Sequence, residues 1–284
     1  MDDGTITRPD GRTVGYATGG APDGVGVLWC HGGPGSRLEP SELTGAAAAA
    51  GLLLVGIDRP GYGRSTPQPG RTIASWVPDA LAVADHVGID RFVTVGVSTG
   101  GSYAVALAAL APDRVLGAVP CGGMTDMRNE AVRATMSPAH THDVWDAPDR
   151  EAAIAAAVAS HGVDGSKLRN ITTVLPPADL ALFRDTERLA SMSARLAEGF
   201  TFGLEGYADD RIADRDGWTT FDVATITCPV HVLHGARDPI AVPAHAEHTA
   251  SIVPGAVLRL FDEDGHFSIL DRAIPEIVGL LSVR

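Results

Sequence analysis

Two hydrophobic rhythms alternate along the chain. Short apolar or β-branched runs stand at 25–30, 52–57, 91–95, 115–119, 229–234 and 257–261. Runs without polar interruption are what strands covered on both faces look like. Between them lie stretches with apolar residues at helical spacing, such as Ile73, Trp76, Val77, Ala80, Leu81 and Ala84, with Gly88 as a stop. Helices are likewise predicted over 43–50, 102–110, 243–252 and 273–281. At the start, 5–8 and 12–16 flank Pro9-Asp10-Gly11 and read as a β-hairpin. Alternating strand and helix predicts the α/β class with a mostly parallel sheet.

The rhythm changes near Met124. Strand signals vanish until Val230, and helical patterns at 150–160, 177–184 and 186–202 are separated by turn clusters. The expected organisation is therefore a core from 1–123 and 222–284, interrupted by a mainly helical insertion over 124–221. A lid of that kind excludes water and shapes a pocket.

The predicted strands end in loops dense in turn formers, and loops at that edge of a parallel sheet converge on ligands. After the third run comes Gly96-Val97-Ser98-Thr99-Gly100-Gly101, followed at once by a helix former. Strand, sharp turn and helix are the context a G-x-S-x-G motif requires. Side chains at Gly96 and Gly100 would collide with neighbouring elements, and the bend lifts the Ser98 hydroxyl clear of the sheet. After 25–30 comes His31-Gly32-Gly33-Pro34-Gly35-Ser36, a loop whose backbone can approach a ligand closely. The Gly33 amide is a candidate oxyanion donor, and His31 is read as holding the loop. Asp238 and His266 each stand just past another strand. A serine hydroxyl needs a base to take its proton, and the base needs a carboxylate to fix its tautomer. Ser98, Asp238 and His266 supply all three. His245 with His248, one helical turn apart, is a weak metal pair without a third ligand.

Composition narrows the picture. The 284 residues suit one large domain or a domain with one insertion. A formal charge of −13 argues against nucleic acid or anionic membrane as a partner. The uncharged run from 92 to 112 is long enough for a membrane span, but its glycines and serines fit a strand and a buried helix better. Cys30, Cys121 and Cys228 show no C-x-x-C spacing and read as small buried residues in a reducing cytosol. With no charged-then-apolar leader, the expected location is cytoplasmic. The expected partner is a small-molecule substrate, with no cofactor and no metal; the oligomeric state is left open.

Five motifs in order carry a resemblance: His31-Gly32-Gly33-Pro34-Gly35, Asp58-Arg59-Pro60-Gly61-Tyr62-Gly63-Arg64-Ser65, Gly96-Val97-Ser98-Thr99-Gly100-Gly101, Gly235-Ala236-Arg237-Asp238 and Asp264-Gly265-His266. Through them the chain resembles the α/β-hydrolase superfamily over nearly its whole length. The resemblance implies an eight-stranded sheet whose second strand is antiparallel, with helices on both faces and a helical cap inserted after the sixth strand. It implies Ser98 as nucleophile, His266 as base and Asp238 as orienting acid, with the Gly33 and Thr99 amides as the oxyanion hole, and Asp126 as a fallback acid because some members take the acid from that strand end.

A serine at the elbow, where relatives that open epoxides carry aspartate, points to acyl transfer. The leading expectation is a carboxylic ester hydrolase whose pocket draws on Met124, Met127, Met136, Trp145, Phe183, Met192, Phe200 and Phe202. A second is a proline iminopeptidase-like aminopeptidase, for which Glu198, Glu205, Asp209 and Asp210 are available to hold an ammonium group. The chain departs from that group at the elbow, with Gly-Val-Ser-Thr-Gly in place of Gly-Gly-Ser-Trp-Gly. A third is a non-catalytic ligand receptor on the same fold.

Overall fold

The computed structural model describes residues 1–136, 140–163 and 175–282. Eight strands form one sheet: β1 (Asp2–Thr7), β2 (Thr13–Gly20), β3 (Val25–Cys30), β4 (Leu52–Ile57), β5 (Phe92–Val97), β6 (Val115–Cys121), β7 (His231–Gly235) and β8 (Val257–Phe261). Their spatial order is β1-β2-β4-β3-β5-β6-β7-β8. β2 pairs antiparallel with both β1 and β4, and every later pairing is parallel. The sheet therefore matches the expected eight strands with the second reversed.

Apolar runs become central strands because both faces are covered. On one face lie α2 (Val77–His86), α3 (Gly100–Leu110) and α10 (Ala244–Ile252), packed around Leu28, Ile57, Trp76, Phe92 and Tyr103. On the other lie α1 (Thr44–Ala49) and α11 (Ala273–Ser282), packed around Trp29, Leu54, Val95 and Ile277. Fully burying one such aliphatic or aromatic side chain contributes about 1.5–3 kcal/mol. Residues 100–109 of α3 are all buried, so this helix is apolar all round. The uncharged run at 92–112 thus divides into β5, a turn and α3; among the described residues no helix is long and apolar enough to cross a membrane.

Between β6 and β7 the described residues form helices and turns without a named strand: α4 (Glu130–Arg133), α5 (His140–Trp145), α6 (Arg150–His161), α7 (Pro177–Arg184), α8 (Thr186–Gly199) and α9 (Glu205–Arg215). Parts of the expected 124–221 insertion, 137–139 and 164–174, lie outside the described residues. Helix α9 has no counterpart in the sequence pattern. It is crowded with charge, yet Asp209, Asp210, Arg211 and Asp214 are all buried.

Candidate active site

The turn between β5 and α3 places Ser98. Its φ of 51° makes it the sole non-glycine residue with left-handed backbone among the described residues. A methyl group at Gly96 would sit 2.1 Å from Gly100 O, and one at Gly100 would sit 2.0 Å from Cys30 O. Both obstacles are backbone, so neither position can move aside for a side chain. The bent chain is held by Ser98 N–H donating to Cys121 O at 3.2 Å, and by Ser98 O accepting from Gly101 and Met124 N–H at 2.9 Å each.

Loops after β7 and β8 bring Asp238 and His266 together. His266 Nδ1 lies 2.7 Å from Asp238 Oδ2. Asp238 Oδ1 is taken by the amides of Ile240 at 2.8 Å and Ala241 at 3.0 Å, which fixes the carboxylate plane. A methyl group at Gly122, the residue after the Cys121 carbonyl that Ser98 grips, would be 3.7 Å from both Asp238 Oδ2 and His266 Nδ1. The pair therefore stands over the end of β6, beside the elbow. Neither Ser98 Oγ nor His266 Nε2 has a hydrogen-bond partner among the described residues, and neither is a sealed polar atom. In a protein without substrate, such contacts are commonly long and tighten on binding.

Electrostatics favour an ion pair on protonation. Burial alone would raise the Asp238 carboxyl, but the charge of His266 and hydrogen bonds from His234 and His266 hold it well below the usual carboxylate range. Burial opposes protonation of His266, yet the Asp238 charge and hydrogen bond lift its pKa above the ordinary imidazole value, with Asp179 and Glu39 adding to the rise. His234, missed in the sequence, lies buried with Nε2 3.4 Å from Asp238 Oδ2 and 2.5 Å from Ala241 O.

Two amides are unclaimed where the loop after β3 meets the elbow. Gly33 and Thr99 N–H donate to no acceptor among the described residues, while Gly32 N–H is taken by Glu39 Oε1 at 3.0 Å. Trp29 Nε1 holds the other Glu39 oxygen at 2.7 Å. A methyl group at Gly33 would meet Thr99 Oγ1 at 2.8 Å, so the loop and elbow touch here. His31 braces the loop: Arg59 N–H donates to its Nε2 at 3.1 Å, which leaves Nδ1 to donate to Gly32 O at 2.6 Å. Burial, with the nearby Arg59 charge, pushes its pKa well below the ordinary value, so His31 stays neutral. From α9, Arg211 hydrogen-bonds Thr99 Oγ1, pairs with Asp214 at 3.0 Å and lies over the Trp145 and Tyr207 rings.

Other sequence candidates find different employment. Asp126 receives the Arg128 guanidinium and N–H rather than a histidine. His248 Nδ1 lies 2.9 Å from Thr125 Oγ1, and His245 Nδ1 accepts from Thr125 N–H at 3.4 Å. All three cysteines are free and buried; burial pushes the Cys30 thiol up to about 12 and Cys121 higher still, which disarms both as nucleophiles. Met124, Met127, Met136 and Trp145 form a small buried apolar cluster, and Met124 Sδ accepts from Thr99 Oγ1 at 3.6 Å, next to the elbow. Each carboxylate that might hold a substrate ammonium already holds an arginine. Glu198 takes Arg37; Glu205 and Asp209 take Arg150; Asp210 takes Arg59 and Arg71.

A family profile described as the alpha/beta hydrolase fold matches residues 27–273. The chain belongs to this family. Its relatives include an uncharacterised hydrolase, YcgS, of Bacillus subtilis, 24% identical and matched over 98% of this chain and 96% of that one. Over 35% of the chain, and 33% of the relative, it is 37% identical to a proline iminopeptidase of Neisseria meningitidis. Among solved structures, a thermophilic esterase from Thermogutta terrifontis superposes with a TM-score of 0.70 at 22% identity, covering 99% of this chain and 98% of that one. As a member of the family with hydrolases among its relatives, the protein is an α/β-hydrolase enzyme.

Proposed function

We propose that this α/β-hydrolase cleaves a carboxylic ester, or a related acyl bond, of a small molecule through an acyl-enzyme on Ser98. The observation that carries the reading is an accessible, unpaired Ser98 hydroxyl on a left-handed elbow, beside a buried His266–Asp238 hydrogen bond. In the reaction, Ser98 Oγ attacks the carbonyl carbon and its proton passes to His266 Nε2. The imidazolium is balanced by Asp238, and the carbonyl oxygen, now negative, faces the Gly33 and Thr99 amides. Collapse expels the alcohol, which takes the proton from His266. Water then attacks the acyl-enzyme by the same route, releasing the acid and restoring Ser98. Residues 124–221 would serve as a cap on a core made of 1–123 and 222–284, with the methionine cluster forming the apolar wall for the acyl group. Removing one oxyanion donor from such a site costs about 2.7–4 kcal/mol of transition-state stabilisation.

The local likeness to a proline iminopeptidase supports a second reading, release of an N-terminal residue by the same chemistry. The arginine-bound state of Glu198, Glu205, Asp209 and Asp210 weighs against it, because no carboxylate of that set is free for an ammonium group. Hydrolysis of short p-nitrophenyl esters, set against proline p-nitroanilide, separates the two. Ester turnover that disappears in Ser98→Ala, with a fluorophosphonate adduct on Ser98 of the unmutated protein, is the expected result. Anilide turnover alone favours the second reading. Inertness to both substrates and to the phosphonate would leave a ligand receptor.

A further inference from the structure

A buried carboxylate outside the core grips the loop that carries the proposed base. Asp179 sits in the first turn of α7 and is fully buried. Its Oδ2 accepts the N–H of His266 itself at 2.9 Å. Its Oδ1 accepts Phe267 N–H at 3.2 Å, Ser268 N–H at 2.8 Å and Ser268 Oγ–H at 2.7 Å. These amides open the short 3₁₀ turn Ser268–Arg272, whose own N-cap, Phe267, offers no side-chain acceptor. The first N–H groups of a helical turn need a partner from outside it, and here a distant helix supplies one. Ser268 Oγ in turn accepts Gly265 N–H at 2.9 Å, so the whole turn 265–268 is gathered on one carboxylate.

The approach is built into the sequence on both sides. A methyl group at Gly265 would lie 2.4 Å from Asp179 Oδ2 and 2.4 Å from Pro176 Cγ, so only glycine admits α7 this close. A second contact runs in parallel: Phe183 of α7 meets the Phe267 ring edge-on at 5.3 Å, and Phe267 meets the His266 ring edge-on at 5.4 Å. Edge-on aromatic pairs attract beyond what their buried area alone contributes.

We propose that Asp179 is a positioning residue for His266, and that seating α7 against the core is what aligns the base beside Ser98. The inference rests on the ester-hydrolase reading, since it needs His266 to be the base. It also makes the cap more than a cover. Withdrawing α7 would leave the amides of His266, Phe267 and Ser268 without their acceptor and free the loop to drift. A misplacement of about 1 Å at a base costs on the order of 100-fold in rate. The negative charge of Asp179 acts on the imidazole as well. The charged groups that raise the His266 pKa are Asp238 from the β7 loop, Asp179 from α7 and Glu39 from the segment after β3. Neutralising Asp179 removes one of the three.

The test is steady-state hydrolysis of p-nitrophenyl butyrate across pH by the full-length protein and Asp179→Asn, with folding checked by circular dichroism. The asparagine keeps one acceptor oxygen but sets an NH2 group against the Oδ2 partner, His266 N–H. The expected result is kcat lower by roughly 10- to 100-fold, KM within about twofold, and the acid limb of kcat/KM moved to lower pH. A well-folded Asp179→Asn with unchanged kcat overturns the proposal, and so does a fall in kcat with an unmoved acid limb. If Asp179→Asn fails to fold, Ser268→Ala decides: it keeps the carboxylate and loses one of its four bonds together with the Gly265 N–H bond that continues it, so a few-fold lower kcat supports the proposal and an unchanged kcat overturns it. Ser98→Ala and His266→Gln run alongside. Turnover that survives either of them removes the ester-hydrolase reading itself, whereas controls that are dead beside an unaffected Asp179→Asn remove this inference alone.

Discussion

Left-handed backbone at a non-glycine residue costs about 1–3 kcal/mol and persists only where its surroundings over-determine it. At Ser98 three backbone hydrogen bonds and two obligatory glycines do so, and the return is a hydroxyl that no neighbour claims. Asp238 shows the same economy of atoms. One oxygen belongs to the amides of Ile240 and Ala241 and the other to His266. This division predicts the outcome of Asp238→Asn. The amides will hold the asparagine oxygen where Oδ1 was, which turns its NH2 toward His266 Nδ1. That nitrogen must then accept, the proton moves to Nε2, and the imidazole can no longer take a proton from Ser98. The expected loss in kcat is roughly 10⁴-fold. The pH profile should change too. On the proposed mechanism the active form of the unmutated protein has neutral His266, and its pKa is raised, so kcat/KM should climb with pH through a value above 6.5. Without the Asp238 charge, burial dominates and residual activity should persist to lower pH. An acid limb that stays in place in Asp238→Asn would show that His266 does not govern it.

At the scale of elements, the strands and the elbow were legible because their signals are local. A continuous apolar run, a glycine two residues either side of a serine, and a helix former directly after can be seen in any short window. Helix α9 was not legible, for the opposite reason. Its residues look like a solvated, charged segment, and burial is possible only because partners far along the chain come to them. Asp210 accepts Arg59 Nη2 at 2.8 Å, Arg71 Nη2 at 2.6 Å, Tyr62 OH at 2.7 Å and Tyr103 OH at 2.9 Å. Arg59 also donates to the carbonyls of His31 and Gly32, so α9 is tied to the loop that presents Gly33. Asp179 was hidden in the same way: its role is set by amides almost ninety positions away. Candidate nucleophile, base and acid could be read from motifs, whereas the carboxylates that hold the machinery together have no motif. Breaking a buried ion pair from one side typically costs 3–5 kcal/mol. Asp210→Asn should therefore destabilise the protein by about 3–5 kcal/mol in urea unfolding, because Arg59 and Arg71 keep their charges without a counter-ion. A loss below about 1 kcal/mol would mean that water or Asp214 takes over the pairing.

For the molecule as a whole, buried titratable groups pull stability in opposite directions as pH falls, and the protons held by the folded and unfolded states decide which wins. His245 is lowered by burial, with help from His234, to about 3, and His31 lies well below its ordinary value. Each is neutral when folded and can be charged when unfolded. Their contribution is complete above the unfolded imidazole pKa of about 6.5 and is lost as pH drops toward the folded value. Asp58 and Asp214 oppose them. Burial raises both to about 6, so between about 4 and 6 the folded state binds their protons more tightly and gains on acidification. His266 and Glu39, both raised, oppose the two lowered histidines as well, so between about pH 7 and 5 the contributions largely offset one another. Below about pH 4, Asp210 and Asp238, both depressed, add a further loss as they protonate toward their folded values. Thermal unfolding should show a melting temperature that depends only shallowly on pH between 7 and 5 and falls steeply below pH 4. Replacing His245 by glutamine removes one of the two groups that lose stability on acidification above pH 5. Relative to the unmutated protein, its melting temperature should therefore rise as pH is lowered from 7 to 5, whatever its absolute stability. A variant with the slope of the unmutated protein would mean that His245 is not held neutral by the fold.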